Sequence, residues 1–245
     1  MIKIVHLTKR FGETIAVDNL NLEIPKGELF CFIGPNGAGK TTTIKLLTGL
    51  LFPTSGEIFI GGYNVQTDPI RAKSVIGYIS DSPFLYERLT GEEFLSFIAE
   101  LYGIRQANRK IEEFLRLFGL SDCQERLISD YSHGMRQRLV FSAILLHDPE
   151  VIIIDEPLVG LDPASSRLVK DLLRKEAAKG KTIFLSTHTL SVAEEIADRI
   201  GVIHKGKLIA LGKLEDLRKE AHSLGKLEEV FLQLTQEGET TDERR

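Results

Sequence analysis

The chain has 245 residues, of which 42% are hydrophobic and 27% are charged, and its formal net charge at pH 7 is −4. This composition supports a full hydrophobic core and excludes an intrinsically disordered protein. The negative charge also argues against a nucleic-acid partner, because nucleic-acid-binding proteins usually carry a strong positive field.

Cysteine content and hydropathy indicate where the protein acts. Cys31 and Cys123 are far apart in the sequence and match no metal or redox spacing, which favours two structural thiols in a reducing compartment. No stretch approaches the run of about 18 apolar residues that would span a membrane, and the start of the chain lacks the apolar core of a signal peptide. We therefore expect a soluble or peripheral protein.

The first predicted elements are strands. Residues 2–7 and 15–24 alternate apolar and polar side chains, with Phe11 in the turn between them, and this pattern predicts an antiparallel flap. Residues 29–33 form a short apolar run typical of a buried strand, and residues 42–50 have the apolar spacing of a helix. A glycine-rich segment joins that strand to that helix.

This segment, residues 34–42, reads GPNGAGKTT and matches the phosphate-loop pattern of Gly, four free positions, Gly, Lys and Ser or Thr. Glycines let the backbone curl so that consecutive N–H groups point at a polyphosphate near a helix N-terminus. Lys40 would then contact the β- and γ-phosphates, and the Thr41 hydroxyl would ligate Mg²⁺. A glycine turn that binds nothing is the weaker alternative. The predicted nucleotide-binding residues are Gly34, Pro35, Asn36, Gly37, Ala38, Gly39, Lys40, Thr41 and Thr42.

A helical segment is predicted at residues 84–147, after short strands at 57–60 and 75–79. Thr90 and Glu93 have the spacing of a capping box before its first helix. A crossover between parallel strands usually needs only one helix, so a segment with several helices indicates an inserted lobe. Its other helices are predicted at residues 107–118 and 134–147.

Alternation of strands and helices resumes after this lobe. The predicted strands are residues 151–155, 182–186, 200–204 and 207–211. The predicted helices are residues 163–179 and a further helix capped by Ser191 and Glu194. The expected division of the chain is an α/β core with the antiparallel flap at residues 1–83 and 148–212, the helical lobe at 84–147, a C-terminal helical extension at 213–236 and a disordered tail at 237–245.

Two adjacent carboxylates end the strand in VIIIDEP, residues 151–157. In phosphate-loop enzymes an Asp at the end of a buried strand holds Mg²⁺, which assigns that role to Asp155. Glu156 beside it is the candidate for orienting an attacking water. The alternative is a pair of acidic residues that only end the strand and cap the next segment, and the upstream phosphate loop favours the catalytic interpretation.

The stretch SHGMRQR, residues 132–138, resembles the signature sequence of ATP-binding-cassette (ABC) ATPases, with Ser132 and Gly134 in the positions of its Ser and second Gly. The resemblance covers residues 2–211. It implies a phosphate-loop NTPase of the α/β class, with a mixed, mainly parallel sheet, an N-terminal antiparallel β flap and an inserted α-helical lobe. It also implies ATP and Mg²⁺ as cofactors.

Further stretches match the family in its order. Phe11 stands where an aromatic stacks on adenine, residues 160–162 match the loop after the carboxylates, and His188 matches the switch histidine that contacts the γ-phosphate. Taken singly, Phe11 and His188 would more often be packing residues. The resemblance implies that Ser132 and Gly134 contact the ATP bound to a second subunit across a two-fold interface. It also implies that Asp162 contacts that subunit.

The chain departs from the family pattern at two places. Tyr131, His133 and Met135 replace commoner residues of the signature, and Asp81 stands where the loop joining core and lobe normally has Gln. A carboxylate at this position could still reach the Mg²⁺ shell through water, but it would add negative charge near the γ-phosphate. We hypothesise a tighter Mg²⁺ dependence and a slower basal turnover; the alternatives are that a neighbouring residue takes the role or that the alignment is misplaced at Asp81.

The resemblance implies an ATP-hydrolysing, energy-coupling subunit of a transporter, held peripherally at the cytoplasmic face of the membrane. Its expected partners are transmembrane permease subunits and a second ATP-binding subunit, in a homodimer or a heterodimer. Export is favoured, because the stretch from Ser223 resembles the tail of bacterial exporter subunits and the regulatory domain of many importers is missing.

Two other functions are weaker alternatives. A soluble ABC ATPase acting on ribosomes or DNA would usually carry a second cassette or long coiled coils, which this sequence lacks. A small-molecule kinase would leave the signature, Glu156 and His188 unexplained.

Overall fold

The computed structural model describes residues 1–158, 160–220, 229 and 231, and these contain ten strands and eight α-helices. The strands are β1 (Ile2–Phe11), β2 (Thr14–Ile24), β3 (Leu29–Ile33), β4 (Ser55–Ile60), β5 (Tyr63–Asn64), β6 (Ile76–Ile79), β7 (Val151–Asp155), β8 (Thr182–Thr187), β9 (Arg199–His204) and β10 (Lys207–Gly212). The helices are α1 (Lys40–Leu47), α2 (Pro69–Ser74), α3 (Gly91–Leu101), α4 (Asn108–Leu117), α5 (His133–Leu146), α6 (Pro163–Ala178), α7 (Leu190–Ile196) and α8 (Leu214–Glu220).

The centre of the fold is a six-stranded sheet with the order β10-β9-β3-β8-β7-β6. Its strands pair in parallel except β10, which pairs antiparallel with β9 at one edge. Every residue of β3, β7 and β8 is buried, as expected for parallel strands covered on both faces. The prediction of a mixed, mainly parallel sheet is confirmed.

A second, antiparallel sheet forms the flap, with the order β2-β1-β4-β5. The predicted pair β1 and β2 is present, and β4 extends it by pairing with the other edge of β1. Apolar side chains of this sheet pack with Phe30, Phe32 and Phe184 from one face of the central sheet. The flap therefore shares a hydrophobic core with the central sheet and lies beside the strand that leads to the phosphate loop.

Helices α3, α4 and α5 form the helical lobe. The capping box is confirmed: the Thr90 hydroxyl accepts from the Glu93 amide at 3.2 Å, and the Glu93 carboxylate accepts from the Thr90 amide at 2.8 Å. Inside the lobe, the rings of Phe118 and Phe141 stack with centroids 6.2 Å apart. These buried side chains belong to the same core as Cys31 and Ile33, which connects the lobe to the other face of the central sheet.

Some local predictions differ from the structure. The helix predicted to be capped by Ser191 and Glu194 begins instead after Thr189, without a side-chain cap, and Ser191 lies inside α7. The reason is that β8 runs one residue further than predicted and the Thr187 hydroxyl accepts from the Thr189 amide at 3.0 Å, which turns the chain earlier. Helix α2 was not predicted, although Pro69 at its first position is a common helix start.

The C-terminal predictions are only partly covered by the structure. Helix α8 falls within the predicted helical extension. The remainder of residues 213–236, apart from Glu229 and Phe231, and the whole of 237–245 lie outside the described residues. Over the part of the chain that the structure describes, no helix combines the length and apolar content needed to cross a membrane.

Candidate functional site

The order of strands in the central sheet brings the catalytic and metal-binding candidates together in one cleft. Strands β3, β8 and β7 are neighbours, and the phosphate loop, His188 and the two carboxylates follow or end them at the same edge of the sheet. The resulting central cleft has a volume of about 310 Å³. It is lined by Ala16, Asn36, Gly37, Gly39, Lys40, Thr41, Thr42, Asp81, Asp155, Glu156 and His188.

Glycines shape the phosphate loop because its backbone takes conformations that other residues rarely adopt. Gly37 and Gly39 have φ angles of 80° and 109°, in the range that favours glycine. A side chain at Gly39 would also collide with the carbonyl oxygen of Ala16 in β2, so the flap touches the loop directly. Helix α1 begins at Lys40, immediately after Gly39, with its N-terminus at the central cleft.

Lys40 places a positive charge inside the loop. Only 7% of its surface is exposed, and its Nζ donates to the carbonyl oxygens of Gly34 at 2.7 Å and Pro35 at 3.1 Å. Burial lowers the pKa of Lys40 from its usual value, while the charges of Glu156 and Asp155 act to raise it. Lys40 is thus held near the two carboxylates. Its positive charge would attract an anion bound in the loop.

The environment of Asp155 fits a cation. This carboxylate is 1% exposed, and one of its oxygens accepts a hydrogen bond from the Ser186 hydroxyl. Its other oxygen is buried and has no hydrogen-bond partner among the described residues. A buried carboxylate oxygen without a partner is costly, and a bound cation would remove that cost.

The ligands around Asp155 suit Mg²⁺ in particular. Thr41 and Asp81 line the same cleft. Burial, together with the charges of Asp155 and Asp81, raises the pKa of Tyr78 to about 12, so both carboxylates act on one phenol. Within the described residues no group of three or more His, Cys, Asp or Glu forms a metal site by itself. Mg²⁺ fits such a place, because it usually takes one or two protein ligands and completes its shell with water and phosphate oxygens.

Glu156 is held by the chain that follows β8. One of its oxygens accepts from the His188 amide at 2.9 Å and lies 2.8 Å from the His188 Nδ1. The other accepts from the Thr187 hydroxyl at 3.1 Å. Glu156 has a φ of 49°, a conformation uncommon outside glycine that turns it away from the direction of β7. The carboxylate therefore has a fixed orientation at the mouth of the cleft.

Other predicted site residues lie apart from the central cleft of their own chain. Ser132 caps α5, with its hydroxyl accepting from the Met135 amide at 3.3 Å. Asp162 caps α6, and hydrogen bonds from the Ser165 hydroxyl and amide, at 2.7 and 2.9 Å, lower its pKa. Gly134 lies near the Gly160 carbonyl, so the starts of these two helices are neighbours.

The phosphate loop and the flap also contribute in ways that the sequence prediction did not contain. Gly34, Pro35 and Ala38 do not line the cleft; the first two supply the carbonyls that hold Lys40. Ala16 does line it and was missed, because nothing in an alternating strand distinguishes the residue that meets the loop. The hydroxyls of Ser186 and Thr187 were also missed, although their place directly before His188 was a usable signal.

Phe11, the predicted adenine contact, lies at the end of β1 outside the lining of the cleft. Its side chain is 49% exposed. Its neighbour in the paired strand is Thr14, two residues before Ala16. Phe11 therefore lies on the same flap as Ala16 and is open to solvent.

Comparison with known proteins agrees with this geometry. The family model described as "ABC transporter" matches residues 17–159, more than half of the chain. The chain is 40% identical over 220 residues to the bacitracin transport ATP-binding protein BcrA of Enterococcus faecalis, covering 89% of this chain and 71% of that protein. It is 36% identical over 240 residues to the probable multidrug ABC transporter ATP-binding protein YbhF of Escherichia coli (strain K12), covering 96% of this chain but 41% of that protein.

Solved structures show the same fold. A structure described as the ATP-binding subunit of an ABC transporter has a TM-score of 0.91 and 34% identity, covering 96% of this chain and 99% of its own. The dimeric ATP-binding cassette MJ0796, in a post-hydrolysis state with ADP and Pi, has a TM-score of 0.78 and 27% identity, covering 87% and 99%. The chain therefore belongs to the ABC transporter family, among its ATP-binding proteins.

Proposed function

We propose that this protein hydrolyses ATP, with Mg²⁺ as cofactor, and couples the reaction to transport by separate transmembrane subunits. The observation that carries the proposal is the central cleft, in which Lys40, Asp155 and the Glu156–His188 pair lie together. A phosphate-binding loop, a metal-binding carboxylate and an oriented general base are the parts that phosphoryl transfer to water requires.

Each of these residues has a separate task. Lys40 and the loop amides bind the β- and γ-phosphates, and Thr41, Asp155 and Asp81 hold Mg²⁺, which supplies charge neutralisation when bound. Glu156 orients the attacking water and accepts its proton. His188 holds Glu156 from one side and contacts the γ-phosphate from the other.

Dimerisation would complete the site. Ser132, Gly134 and Asp162 lie outside the central cleft of their own chain, and in a dimer a second ATP-binding subunit would bring the start of its α5 to the first subunit's ATP. The similar MJ0796 cassette is dimeric with ADP and Pi bound, which supports this arrangement. Either a homodimer or a heterodimer is compatible with this arrangement of two ATP-binding subunits.

A cluster of exposed aromatic side chains offers a contact for a membrane subunit. Phe84 is 87% exposed, and its ring packs edge-on against Tyr86, with centroids 6.0 Å apart. Tyr86 in turn packs edge-on against Phe97 of α3, at 5.5 Å. This aromatic cluster follows Asp81 closely in the chain, so a subunit docked on it could influence the cleft.

Docking of this kind would hold the protein peripherally at the cytoplasmic face of the membrane. The relatives named for bacitracin transport and multidrug transport support export as the direction.

Co-purification from native membranes tests the proposed function. The tagged chain should recover a membrane-spanning protein, and Phe84→Ser should lose most of it because the exposed aromatic contact is removed. Ile70→Ser is the matched control, since Ile70 is 83% exposed on α2, away from this cluster, and should retain the partner. Recovery with ribosomes or DNA and without any spanning protein would contradict the proposal and favour a soluble ABC ATPase.

Asp81 yields a second prediction. Because its carboxylate adds negative charge where the γ-phosphate binds, Asp81→Gln should raise basal ATP turnover about two- to five-fold; because the same change removes an anionic group that holds Mg²⁺, it should also raise the Mg²⁺ concentration needed for half-maximal rate. Steady-state ATPase assays over a Mg²⁺ titration measure both effects. If neither quantity changes, Asp81 does not act on the metal or the phosphate.

A further inference from the structure

Phe11 of the flap takes part in a contact that the proposed reaction does not use. Phe11 pairs with Thr14, and Ala16 of the same β2 strand lines the central cleft. Two residues of a strand span about 7 Å, so the backbone pair of Phe11 and Thr14 lies about that far along β2 from Ala16. A nucleotide with its phosphates in the loop could place its base along the flap. The flap would then need a surface that binds the base.

Lys9 covers one side of that surface. Its Nζ lies 5.0 Å from the centroid of the Phe11 ring, within the range of a cation–π contact. The same Nζ donates to the carbonyl oxygen of Phe52 at 2.8 Å. Phe52 belongs to the segment after α1, the helix that starts at the phosphate loop. Lys9 thus joins the aromatic ring to the segment at the far end of the phosphate-binding helix.

We propose that Lys9 is a positioning residue for the nucleotide base. Its ammonium group occupies one face of Phe11 and holds the ring in a single orientation, which leaves the opposite face for the base. This inference rests on the proposed ATP site and on the stacking role of Phe11.

Stacking of a base on Phe11 has an entropic cost. A 49% exposed phenylalanine at the end of a strand loses side-chain entropy when a base stacks on it, and this loss weakens binding. The paired contacts of Lys9 remove part of that freedom before the nucleotide arrives. These contacts of Lys9 should not affect the affinity for a ligand that has phosphates but no base.

A comparison of two ligands therefore separates positioning from general stability. Lys9→Met keeps most of the side-chain length and removes the charge. By calorimetry, its Kd for ATP should rise about two- to five-fold, the size expected for an exposed cation–π contact, while its Kd for inorganic tripolyphosphate should stay unchanged. Lys9→Arg should restore ATP affinity, and Lys3→Met, in the same strand, is the matched control.

Three results would overturn the inference. They are an unchanged ATP affinity in Lys9→Met, a tighter one, or an equal loss of affinity for ATP and tripolyphosphate. Phe11→Ala distinguishes this failure from a failure of the proposed site: if that variant binds ATP normally, Phe11 does not stack on the base at all. Loss of ATP affinity in Phe11→Ala but not in Lys9→Met would leave the ATP site in place and remove Lys9 from it.

Discussion

Replacement of Glu156 by glutamine is expected to lower the rate of ATP hydrolysis by about 10² to 10⁴-fold while ATP binding is retained. Glutamine cannot accept the proton of the attacking water, but it can keep the local contacts. Its carbonyl oxygen can accept from the His188 amide, which now binds a Glu156 oxygen at 2.9 Å. Its amide can donate to the Thr187 hydroxyl, which lies 3.1 Å from the other oxygen. The fold and the phosphate loop are therefore preserved.

The measurement combines turnover with assembly. With ATP, the Glu156→Gln variant should accumulate as a dimer, with a light-scattering mass near twice the 27.4 kDa of one chain, because the ATP that joins the subunits is no longer cleaved. Glu215→Gln, on an exposed part of α8, is the matched control and should behave as wild type. Near-normal turnover in Glu156→Gln would show that Glu156 is not the general base.

Lys40→Ala is expected to abolish tight nucleotide binding itself. Lys40 is the buried cation of the loop, and removal of a buried, hydrogen-bonded charge costs about 2–5 kcal/mol, or roughly 30- to several thousand-fold in affinity. The variant also leaves the Gly34 and Pro35 carbonyls without their donor. Some loss of thermal stability should therefore accompany the loss of binding.

Calorimetric titration with ATP checks this expectation, and circular dichroism confirms that the variant is folded. Lys45→Ala removes an exposed lysine from the last turn of the same helix and should bind ATP normally, which separates loss of the buried charge from a change in net charge. A folded Lys40→Ala variant that still binds ATP tightly would contradict the assignment of the phosphate loop.

Prediction from sequence succeeded where the determinants of a structure are contiguous. The phosphate loop is set by glycines within nine residues, by the apolar strand before them and by the helix after them, so the local pattern contains the whole motif. The capping box at Thr90 and Glu93 is local in the same way. The run of several predicted helices between strands indicated the inserted lobe, and the signature, together with the other motifs in their order, indicated the family.

Prediction failed where a contact depends on strands brought together by the sheet. The Glu156–His188 contact joins residues 32 positions apart and exists because Asp155 pairs with Ser186 across β7 and β8. The contribution of Ala16 depends on how closely the flap approaches Gly39. The misplaced cap at Ser191 has the same origin, since the length of β8 is set by its neighbours and not by its own sequence.

The hydroxyl contacts between β7 and β8 have a consequence for folding fidelity. Both strands are buried along their whole length, and both are largely apolar on each face, so a slip of one residue would cost little in hydrophobic burial. It would, however, separate Ser186 from Asp155 and Thr187 from Glu156, leaving the buried Asp155 carboxylate without its donor at a cost of about 1–3 kcal/mol and the partly buried Glu156 carboxylate without one of its donors. The residues that serve the reaction thus also favour the correct alignment of the two strands. Substitutions that remove these hydroxyl contacts, such as Ser186→Ala or Thr187→Val, would lower the yield of correctly folded protein as well as its activity, whereas Glu156→Gln keeps them.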